Sequence, residues 1–343
     1  MTKPKVLIIG AGLFGVEIAN TISDTCSFIH IYEKKDSMFL GASSNNQHRF
    51  HVGLHYPRSD ETINQIKESS QKYFDKFSNT IFSIKENYYL IEKNSKISSK
   101  EFYRKFIDSC NMTDMSDLKD CVNLENIDSS FITCEKGISI VELKNTLEAT
   151  LKQKNNVSVF YNCHNVEEYF KDYDFIINCS YWSAHLTSDI KLKYELCNLI
   201  LLDKPFGDKN ISFTVMDGEY PSLYRTENKE IFTLSSVKKT PFFKTSCYNE
   251  FISNYNNYNK NFNIQKINKQ ILDHGSEYFR FKNTKIVGQY ITPKIKLEYD
   301  YNEKRTSEII FDKNYITILQ GKISTINSVS EKILNYIKQN GEE

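Results

Sequence analysis

The sequence is poor in the features that mark membrane-spanning and polyanion-binding proteins. None of its apolar runs is long enough to cross a bilayer, which argues against integral membrane association. Its 44 Lys and Arg are interleaved with 43 Asp and Glu, so the chain has no basic field that would attract nucleic acid or an anionic membrane surface. With 343 residues, 40% of them hydrophobic, it is long enough for about two domains. These properties favour small molecules as partners.

Cysteine pairs of the kind that bind metals are also missing. The eight Cys residues include no CxxC pair and no Cys/His cluster at zinc spacing, so we expect no metal site. Dense disulfides belong to small secreted domains, and the N-terminal apolar run VLIIGAGLFG is interrupted by glycines, unlike a signal peptide. We therefore expect free thiols, a reducing compartment and a cytoplasmic location.

The chain begins with a strand–helix–strand pattern. Residues 5–10 (KVLIIG) predict a buried strand, residues 15–24 an amphipathic helix, and residues 27–33 (SFIHIYE) a second strand. Two more continuous apolar segments, 156–161 and 173–180, are typical of parallel strands, and the chain ends with a further strand and helix. Parallel βαβ elements therefore occur at the beginning, in the middle and at the end of the chain.

The segment between residues 194 and 292 has a different pattern, with short strands separated by turns, as in an antiparallel sheet. We predict an α/β protein in which a discontinuous Rossmann-type dinucleotide-binding domain is interrupted by a mainly antiparallel β substrate domain (α+β). The predicted boundaries are 1–85, 135–193 and 300–343 for the first domain, and 86–134 and 194–299 for the second.

A glycine-rich turn joins the first predicted strand to the first predicted helix. Gly10, Gly12 and Gly15 fit G-x-G-x-x-G. The first glycine permits the tight turn, the second lets the backbone approach a pyrophosphate, and the third allows close helix–strand packing. The turn predicts a dinucleotide at the helix N-terminus, with Leu13 and Phe14 among the cofactor-binding residues.

An acidic residue stands where such a motif requires one. Glu33 ends the second strand, where a carboxylate accepts hydrogen bonds from adenosine ribose hydroxyls and disfavours a 2′-phosphate. We include the neighbouring Lys34 among the predicted cofactor-binding residues. After Glu33 the chain does not continue the βαβα pattern that is usual for enzymes of diffusible NAD, which favours FAD.

The loop that follows, GASSNNQHRFHVGLHYPRS (41–59), holds three of the seven His in the chain. It resembles the corresponding run of the D-amino acid oxidase (DAO) family of FAD-dependent oxidoreductases, which reads A-S-G-R-N-S-G-x-x-H-x-G-x-x-Y. The resemblance implies that this loop follows the ribityl chain of FAD to the isoalloxazine. It implies cofactor contacts for Ser43, Ser44, Asn46, Gln47 and His51, and places on the reacting face for His51, His55 and Tyr56.

Three further segments carry the same resemblance. NCHNVEEY is similar to the family's segment near the adenine, which implies that Val166 lies there. DFIINCSYWSA is similar to D-x-V-V-x-A-x-G-x-W-S, and YITILQGKISTINSVSEKI is similar to the C-terminal strand, glycine loop and helix that close over the flavin. The resemblance adds Cys179, Ser180, Trp182, Gly321, Lys322, Ile323 and Ser324 to the predicted cofactor-binding residues.

These residue types suit oxidation of a C–H bond next to OH or NH. Hydride transfer to flavin N5 benefits from a base that takes the heteroatom proton, and His has a suitable pKa. A positive group near N1 and C2=O stabilises the reduced flavin anion, for which Lys322 or the N–H groups of the QGKIS turn are candidates. The predicted catalytic residues are His51, His55 and Tyr56, together with Tyr224 and Arg225 of YPSLYRTENKE.

Two departures from the family pattern bear on the substrate. Tyr181 stands where the family usually has Gly before the Trp. Members that oxidise amino acids usually carry an Arg on the strand that here reads KIVGQYITPKI, where it clamps a carboxylate through two hydrogen bonds. This strand has no Arg, so an α-amino acid is disfavoured unless Arg225, Arg280 or Arg305 serves instead.

We therefore predict an FAD-dependent oxidoreductase that dehydrogenates a CH–OH or CH–NH centre of a small polar substrate, with O2 or another acceptor reoxidising the flavin. A Tyr-lined pocket without a carboxylate clamp favours a sugar or nucleotide-sugar, in line with a role in surface-glycan biosynthesis. One alternative is a non-redox flavin enzyme similar to UDP-galactopyranose mutase, whose N-terminal VGAGLFG start is similar. Others are an amino-acid oxidase or dehydrogenase and a non-enzymatic nucleotide-binding protein.

Overall fold

The computed structural model describes residues 3–187, 190–298, 307–319 and 321–341. Within these ranges, helices α1 to α8 are, in chain order, Leu13–Ile22, Asp60–Phe77, Ser99–Phe106, Ile140–Leu151, Tyr248–Asn256, Tyr258–Asn261, Ile264–Ser276 and Ile326–Asn340. Strands β1 to β19 are Lys5–Ile9, Phe28–Tyr32, Arg49–Phe50, Ile81–Phe82, Glu86–Glu92, Cys110–Thr113, Ile127–Thr133, Lys136–Ile138, Val157–Phe160, Phe175–Asn178, Leu192–Asp203, Pro205–Asp208, Ile211–Met216, Pro221–Arg225, Ile231–Ser236, Pro241–Thr245, Lys285–Leu297, Glu308–Asp312 and Tyr315–Leu319.

A six-stranded sheet of order β18-β19-β10-β1-β2-β9 contains the glycine-rich turn. All neighbouring strands in it run parallel except β18, which is antiparallel at one edge. The central strand β1 is buried on both faces, which explains its continuous apolar sequence. Val6 and Ile8 pack in a core with α1, α4 and α8, while Leu7 and Ile9 belong to a core on the opposite face. This mixed α/β architecture confirms the predicted fold class.

A nine-stranded, mainly antiparallel sheet follows the order β16-β11-β15-β14-β13-β5-β7-β6, and β17 pairs with β11. Strand alternation gives it two unlike faces. One face is apolar and packs against α7 through Leu223, Phe232 and Leu234. The other carries Tyr224 and Ser235 and faces the His-rich loop, because Gln47 Nε2 donates a hydrogen bond to Ser235 Oγ at 2.8 Å.

A small sheet of order β3-β8-β4 fixes the His-rich loop in place. Its strand β3, Arg49–Phe50, lies within the loop, where the sequence pattern indicated neither strand nor helix. Arg49 pairs with Gly137 of β8 and Phe50 pairs with Lys136. This pairing brings the loop next to the chain around residue 135.

Helical structure between residues 246 and 271 is interrupted. It is divided into α5, α6 and part of α7. Asn257 ends α5, where its side chain donates to Ser253 O, and Asn263 caps α7 by accepting from Lys266 N–H. Asn side chains compete in this way with the helical hydrogen bonds of the backbone. The domain boundaries stay a prediction, and the predicted boundary at residue 300 lies outside the described residues. In the part of the chain that the structure describes, no helix combines the length and apolar character needed to span a membrane.

Candidate active site

The turn between β1 and α1 has the backbone geometry that the glycine motif predicts. Gly10 has a φ of +99°, a conformation that L side chains rarely adopt. A Cβ on Gly15 would lie 2.0 Å from the carbonyl oxygen of Gly10, so this position requires glycine for close helix–strand packing. A Cβ on Gly12 would meet Ser43 Oγ at 3.1 Å. Glycine at position 12 therefore leaves room for the Ser43 hydroxyl beside the turn, where the motif expects a pyrophosphate.

The helix that starts at this turn offers positive partial charge at its N-terminus. Leu13 N–H donates to Ser43 Oγ at 3.0 Å, and the first turn contains no acidic residue. Phe14 is buried in the core beneath the turn. The arrangement provides backbone N–H groups and a hydroxyl to an incoming phosphate.

Glu33 lies beside the turn with both carboxylate oxygens facing backbone. Oε2 accepts from Ala11 N–H at 2.7 Å and Oε1 from Lys35 N–H at 2.9 Å. The residue is partly exposed, and a carboxylate has about four acceptor sites, so capacity remains for ribose hydroxyls. Lys34 is exposed. Cys163 N–H donates to Glu33 O at 3.0 Å, which brings the segment leading to the buried Val166 alongside.

Sequence reasoning missed Lys144, which reaches the same region from α4. Its Nζ donates to Ser44 Oγ at 2.5 Å, next to the Ser43 hydroxyl that faces the helix N-terminus. Partial burial lowers the pKa of Lys144, and Glu227 opposes that shift. The preceding Leu143 is buried in the core, but the local sequence around it indicates no partner for Lys144.

A second group of predicted residues meets at the far end of the His-rich loop. The ring centroids of His51 and His55 are 5.4 Å apart, and those of His55 and Tyr56 are 5.1 Å apart. Lys322, from the turn before α8, places Nζ 3.5 Å from His51 Nε2 and 4.7 Å from the centre of the Tyr56 ring. The structure thus brings together three loop residues and one C-terminal residue that are far apart in sequence.

Glu135 lies behind His51 and was not predicted from the sequence. Its side chain is fully buried and accepts from Arg49 Nη2 at 3.0 Å and Tyr89 OH at 2.7 Å. Its other oxygen accepts from Val52 N–H at 3.2 Å and lies 3.6 Å from His51 Nδ1. Nothing in the local pattern around residue 135 indicated these partners, because they come from distant segments.

Electrostatics keep His51 neutral. Burial, followed by the nearby Lys322 ammonium, lowers the pKa of His51 to about 3. Burial alone would raise the pKa of Glu135, but the Arg49 guanidinium, the nearby His51 ring and the hydrogen bond from Tyr89 lower it to about 2. We call Glu135, Arg49, Tyr89 and His51 the buried centre. At physiological pH it therefore contains an ionised Glu135, the Arg49 guanidinium paired with it, and an uncharged His51 imidazole.

Tyr224 and Arg225 are adjacent on β14 but point to opposite faces of the sheet. The Tyr224 hydroxyl donates to Lys136 O at 2.9 Å, and its ring lies 4.6 Å from Arg49 Cζ, so it belongs to the buried centre. The Arg225 guanidinium instead donates to Asn210 Oδ1 at 3.0 Å. The structure brings Tyr224 to the centre and does not bring Arg225 there.

The segment after β10 closes the glycine turn from the other side. Cys179 N–H donates to Ile9 O at 2.9 Å, and Ser180 Oγ donates to Asn178 Oδ1 at 2.5 Å. Tyr181 has a φ of +67°, the conformation that suits the glycine of the related family pattern. Trp182 packs with Tyr255, with ring centroids 5.6 Å apart, away from the glycine turn.

The remaining predicted cofactor residues form the ends of the loop and the last turn. Asn46 Oδ1 accepts from His48 N–H at 2.8 Å, which supports the loop backbone. Gly321 N–H donates to Ser307 Oγ at 3.0 Å, and Ile323 is partly buried against the core of α1 and α8. The Ser324 hydroxyl is buried and has no hydrogen-bond partner within the described ranges. Such an orphaned polar group at the predicted flavin end fits a polar ligand.

The donor set fits a dinucleotide better than a metal ion. The described residues contain no group of three or more His, Cys, Asp or Glu that could hold a metal. The helix N-terminus with the Ser43 hydroxyl, the Glu33 carboxylate and the orphaned Ser324 hydroxyl are instead the kinds of polar group that bind phosphate, ribose and other polar parts of a dinucleotide.

Comparisons with known proteins agree with this geometry. No family model matches the chain. Among curated proteins, the FAD-dependent monooxygenase FPY4 of Fusarium mangiferae is 24% identical over 343 residues, covering 96% of this chain and 90% of that protein. The FAD-dependent monooxygenase kojA of Aspergillus flavus is 24% identical over 250 residues, covering 64% of this chain and 58% of that protein.

Solved structures share the fold over nearly the whole chain. Glycine oxidase from Geobacillus kaustophilus matches with a TM-score of 0.67 at 11% identity, covering 97% of this chain and 94% of that one. L-α-glycerophosphate oxidase from Mycoplasma pneumoniae, solved with FAD bound, matches with a TM-score of 0.67 at 13% identity, covering 98% and 94%. These findings confirm the predicted FAD cofactor and the predicted class of enzyme, an FAD-dependent oxidoreductase.

Proposed function

We propose that this protein is a DAO-type enzyme that dehydrogenates a CH–OH or CH–NH centre of a small polar substrate. The observation that carries the proposal is the position of His51, which is buried and has its Nε2 3.5 Å from Lys322 Nζ. Burial and the Lys322 ammonium both lower the pKa of this imidazole, which favours its neutral form. A neutral imidazole accepts the proton of a substrate OH or NH, while the ammonium stabilises negative charge that develops beside it.

The residues that would hold FAD are distributed along the two ends of the site. The N–H groups at the start of α1, the Ser43 hydroxyl and Lys144 would bind the pyrophosphate, and Glu33 would accept from the ribose. The turn at 321–324 would contact the flavin end. FAD, when bound, supplies the two-electron acceptor that the side chains of this chain lack.

The charges around the site favour an uncharged polar substrate, such as a polyol or sugar. The face of the large sheet turned toward the loop carries neutral hydroxyls, including Tyr224 and Ser235. Arg49 is paired with Glu135, Arg58 with Asp217, and Arg225 is bound to Asn210. Arg305 lies outside the described residues. The sugar part of a nucleotide-sugar of surface-glycan biosynthesis has this chemistry, whereas its diphosphate is charged and would need cationic groups that this face lacks among the side chains named above.

An amino acid is the second candidate substrate. Glycine oxidase and an L-amino acid deaminase from Proteus vulgaris share the fold, the latter with a TM-score of 0.64. Oxidation of an amino acid needs a cationic clamp for the carboxylate, and Lys322 is the cation nearest to His51 among the contacts described above. The curated relatives are named monooxygenases, which makes oxygen insertion an outcome to test as well.

Anaerobic reduction of the bound flavin tests these proposals. The FAD-loaded protein is mixed without O2 with neutral polyols and sugars, 2-hydroxy acids or amino acids, and the loss of the oxidised-flavin absorption band is recorded. We expect bleaching by a neutral polyol or sugar. His51→Asn should slow bleaching by about 10² to 10⁴-fold. His274→Asn, which changes a buried His bonded to Ser236 Oγ on the far side of the sheet, is the matched control and should leave it unchanged.

Other outcomes would overturn the proposal in distinct ways. Bleaching only by amino acids would establish the second candidate. Activity on a nucleotide-sugar only after prior reduction of the flavin, without net electron flow, would establish a mutase. Incorporation of labelled oxygen from O2 into the product, with an external electron donor required, would establish a monooxygenase.

A further inference from the structure

We infer that Glu135 is a positioning residue that fixes His51 as the Nδ1–H tautomer and directs its unprotonated Nε2 toward Lys322. This inference rests on the proposed role of His51 and deepens it. The inference is based on the contacts of three side chains. The His51 imidazole lies between the Glu135 carboxylate, which is near Nδ1, and the Lys322 ammonium, which is near Nε2.

The position of Glu135 is held from several directions. Arg49 Nη2 and Tyr89 OH both donate to Oε2, at 3.0 and 2.7 Å, and Val52 N–H donates to Oε1 at 3.2 Å. These donors come from two strands and the His-rich loop. A fully buried carboxylate with three donors has little freedom to move.

Two contacts indicate the same tautomer of His51. The Lys322 ammonium has only donors, so Nε2, 3.5 Å away, must present its lone pair to it. The ionised carboxylate of Glu135 has only acceptors, so Nδ1, 3.6 Å from Oε1, must present its proton. The 3.6 Å contact is longer than a hydrogen bond, and such contacts in ligand-free sites tighten when the site is filled.

Arg49 explains why a His beside a carboxylate stays neutral. An unpaired carboxylate would favour the imidazolium, but the Arg49 guanidinium already balances the charge of Glu135. The guanidinium is itself held between two aromatic rings, 4.6 Å from the centre of Tyr224 and 5.7 Å from that of Tyr89. Glu135 thus orients the His51 ring without favouring its protonated form, and the unprotonated Nε2 faces the Lys322 ammonium.

Nitrogen NMR of the full chain tests the inference directly. The FAD-loaded protein is labelled with ¹⁵N-histidine, and the His51 signals are assigned with His51→Asn. We expect a protonated Nδ1 and an unprotonated Nε2 from pH 5 to pH 8. Glu135→Gln replaces an acceptor oxygen by an amide donor, so the Nδ1–H tautomer should lose its dominance and flavin reduction should slow by about 10 to 100-fold. FAD affinity should stay within about twofold, since the glycine turn is untouched.

Two further variants keep the test decisive. Glu92→Gln changes another buried carboxylate, on β5 of the large sheet, that accepts from Tyr220 OH at 2.8 Å, and should leave the tautomer unchanged. If Glu135→Gln does not fold, Glu135→Asp retains the charge but shortens the side chain by one methylene, and should weaken the tautomer preference less. A tautomer unchanged in both Glu135 variants, or an Nε2–H tautomer in the wild type, would overturn the inference. The expected tautomers without bleaching by any substrate would support it and refute the proposed function.

Discussion

Two carboxylates lie at the two ends of the site, and their surroundings differ in kind. Glu33 is partly exposed and, among the described residues, accepts from two backbone N–H groups close to the turn, those of Ala11 and Lys35. Glu135 is fully buried, and two of its three donors are the side chains of Arg49 and Tyr89. The first therefore keeps acceptor capacity for a ligand, whereas the second uses its capacity inside the protein.

The difference separates a binding region from a positioning region. At the glycine turn, backbone groups are displayed at the surface and a ligand completes their hydrogen bonds. At the buried centre the Glu135 carboxylate is bonded inside the protein by Arg49, Tyr89 and a backbone N–H, and His51 lies between this carboxylate and the Lys322 ammonium. Variants at the glycine turn should consequently weaken FAD binding, whereas variants at the buried centre should slow the reduction of bound flavin.

Gly15→Ala should give the largest effect. The new Cβ would lie 2.0 Å from the Gly10 carbonyl oxygen, so helix α1 must move away from β1. We expect destabilisation of about 3 kcal/mol or more and loss of FAD binding, measured by denaturant unfolding and FAD titration. Gly41→Ala is the matched control, because no atom of the described part of the chain, apart from the neighbouring residues, lies within 4 Å of a Cβ there. Normal FAD binding by Gly15→Ala would contradict the assignment of the glycine turn to cofactor binding.

Lowering the pH should reduce the free energy of unfolding through the buried His51. The pKa of His51 is about 3 in the folded protein against an ordinary value of 6.5, so the unfolded chain binds more protons between these values and stability falls as pH drops below 6.5. The loss from this residue is about 2 kcal/mol between pH 7 and pH 5. His51→Asn should show a correspondingly smaller loss in urea unfolding, and the two proteins should respond alike between pH 7 and pH 8. The same loss in both proteins would contradict a neutral, buried His51.

Lys144→Met should have the smallest effect and sharpen the comparison. Removing the ammonium that bonds Ser44 Oγ should raise the FAD dissociation constant by about tenfold, or about 1.4 kcal/mol, and leave the anaerobic rate at saturating FAD unchanged. Lys152→Met removes an exposed Lys at the end of the same helix, paired with Glu148, and is the control. Equal FAD affinity in both variants would show that Lys144 does not contribute to FAD binding.

The sequence predicted the turn well because its determinants are local. Gly10, Gly15 and Glu33 act through backbone geometry within one βαβ unit, which a short motif encodes. Glu135 could not be found in this way. Its partners Arg49 and Tyr89 are separated from it by 86 and 46 residues. The pairing of β3 with β8 brings Arg49 close to it, and the pairing of β5 with β7 brings Tyr89.

Residues on one strand show the same limit. Tyr224 and Arg225 were both predicted to be catalytic, but strand alternation places their side chains on opposite faces of the sheet. Which of the two faces the loop depends on the packing of β14 against its neighbours, and the sequence of a strand buried on both faces does not reveal this. The catalytic assignments of both residues stay predictions.

The central claim is that a buried histidine, kept uncharged, accepts the substrate proton next to FAD. The most direct test is the anaerobic rate of flavin reduction from pH 5 to pH 8 in the wild type and in His51→Asn. Because the pKa of His51 is about 3, the account predicts no decline of the wild-type rate near pH 6.5 and a rate lower by about 10²-fold or more in the variant at every pH. A wild-type rate that falls below pH 6.5, or a variant as fast as the wild type, would contradict it.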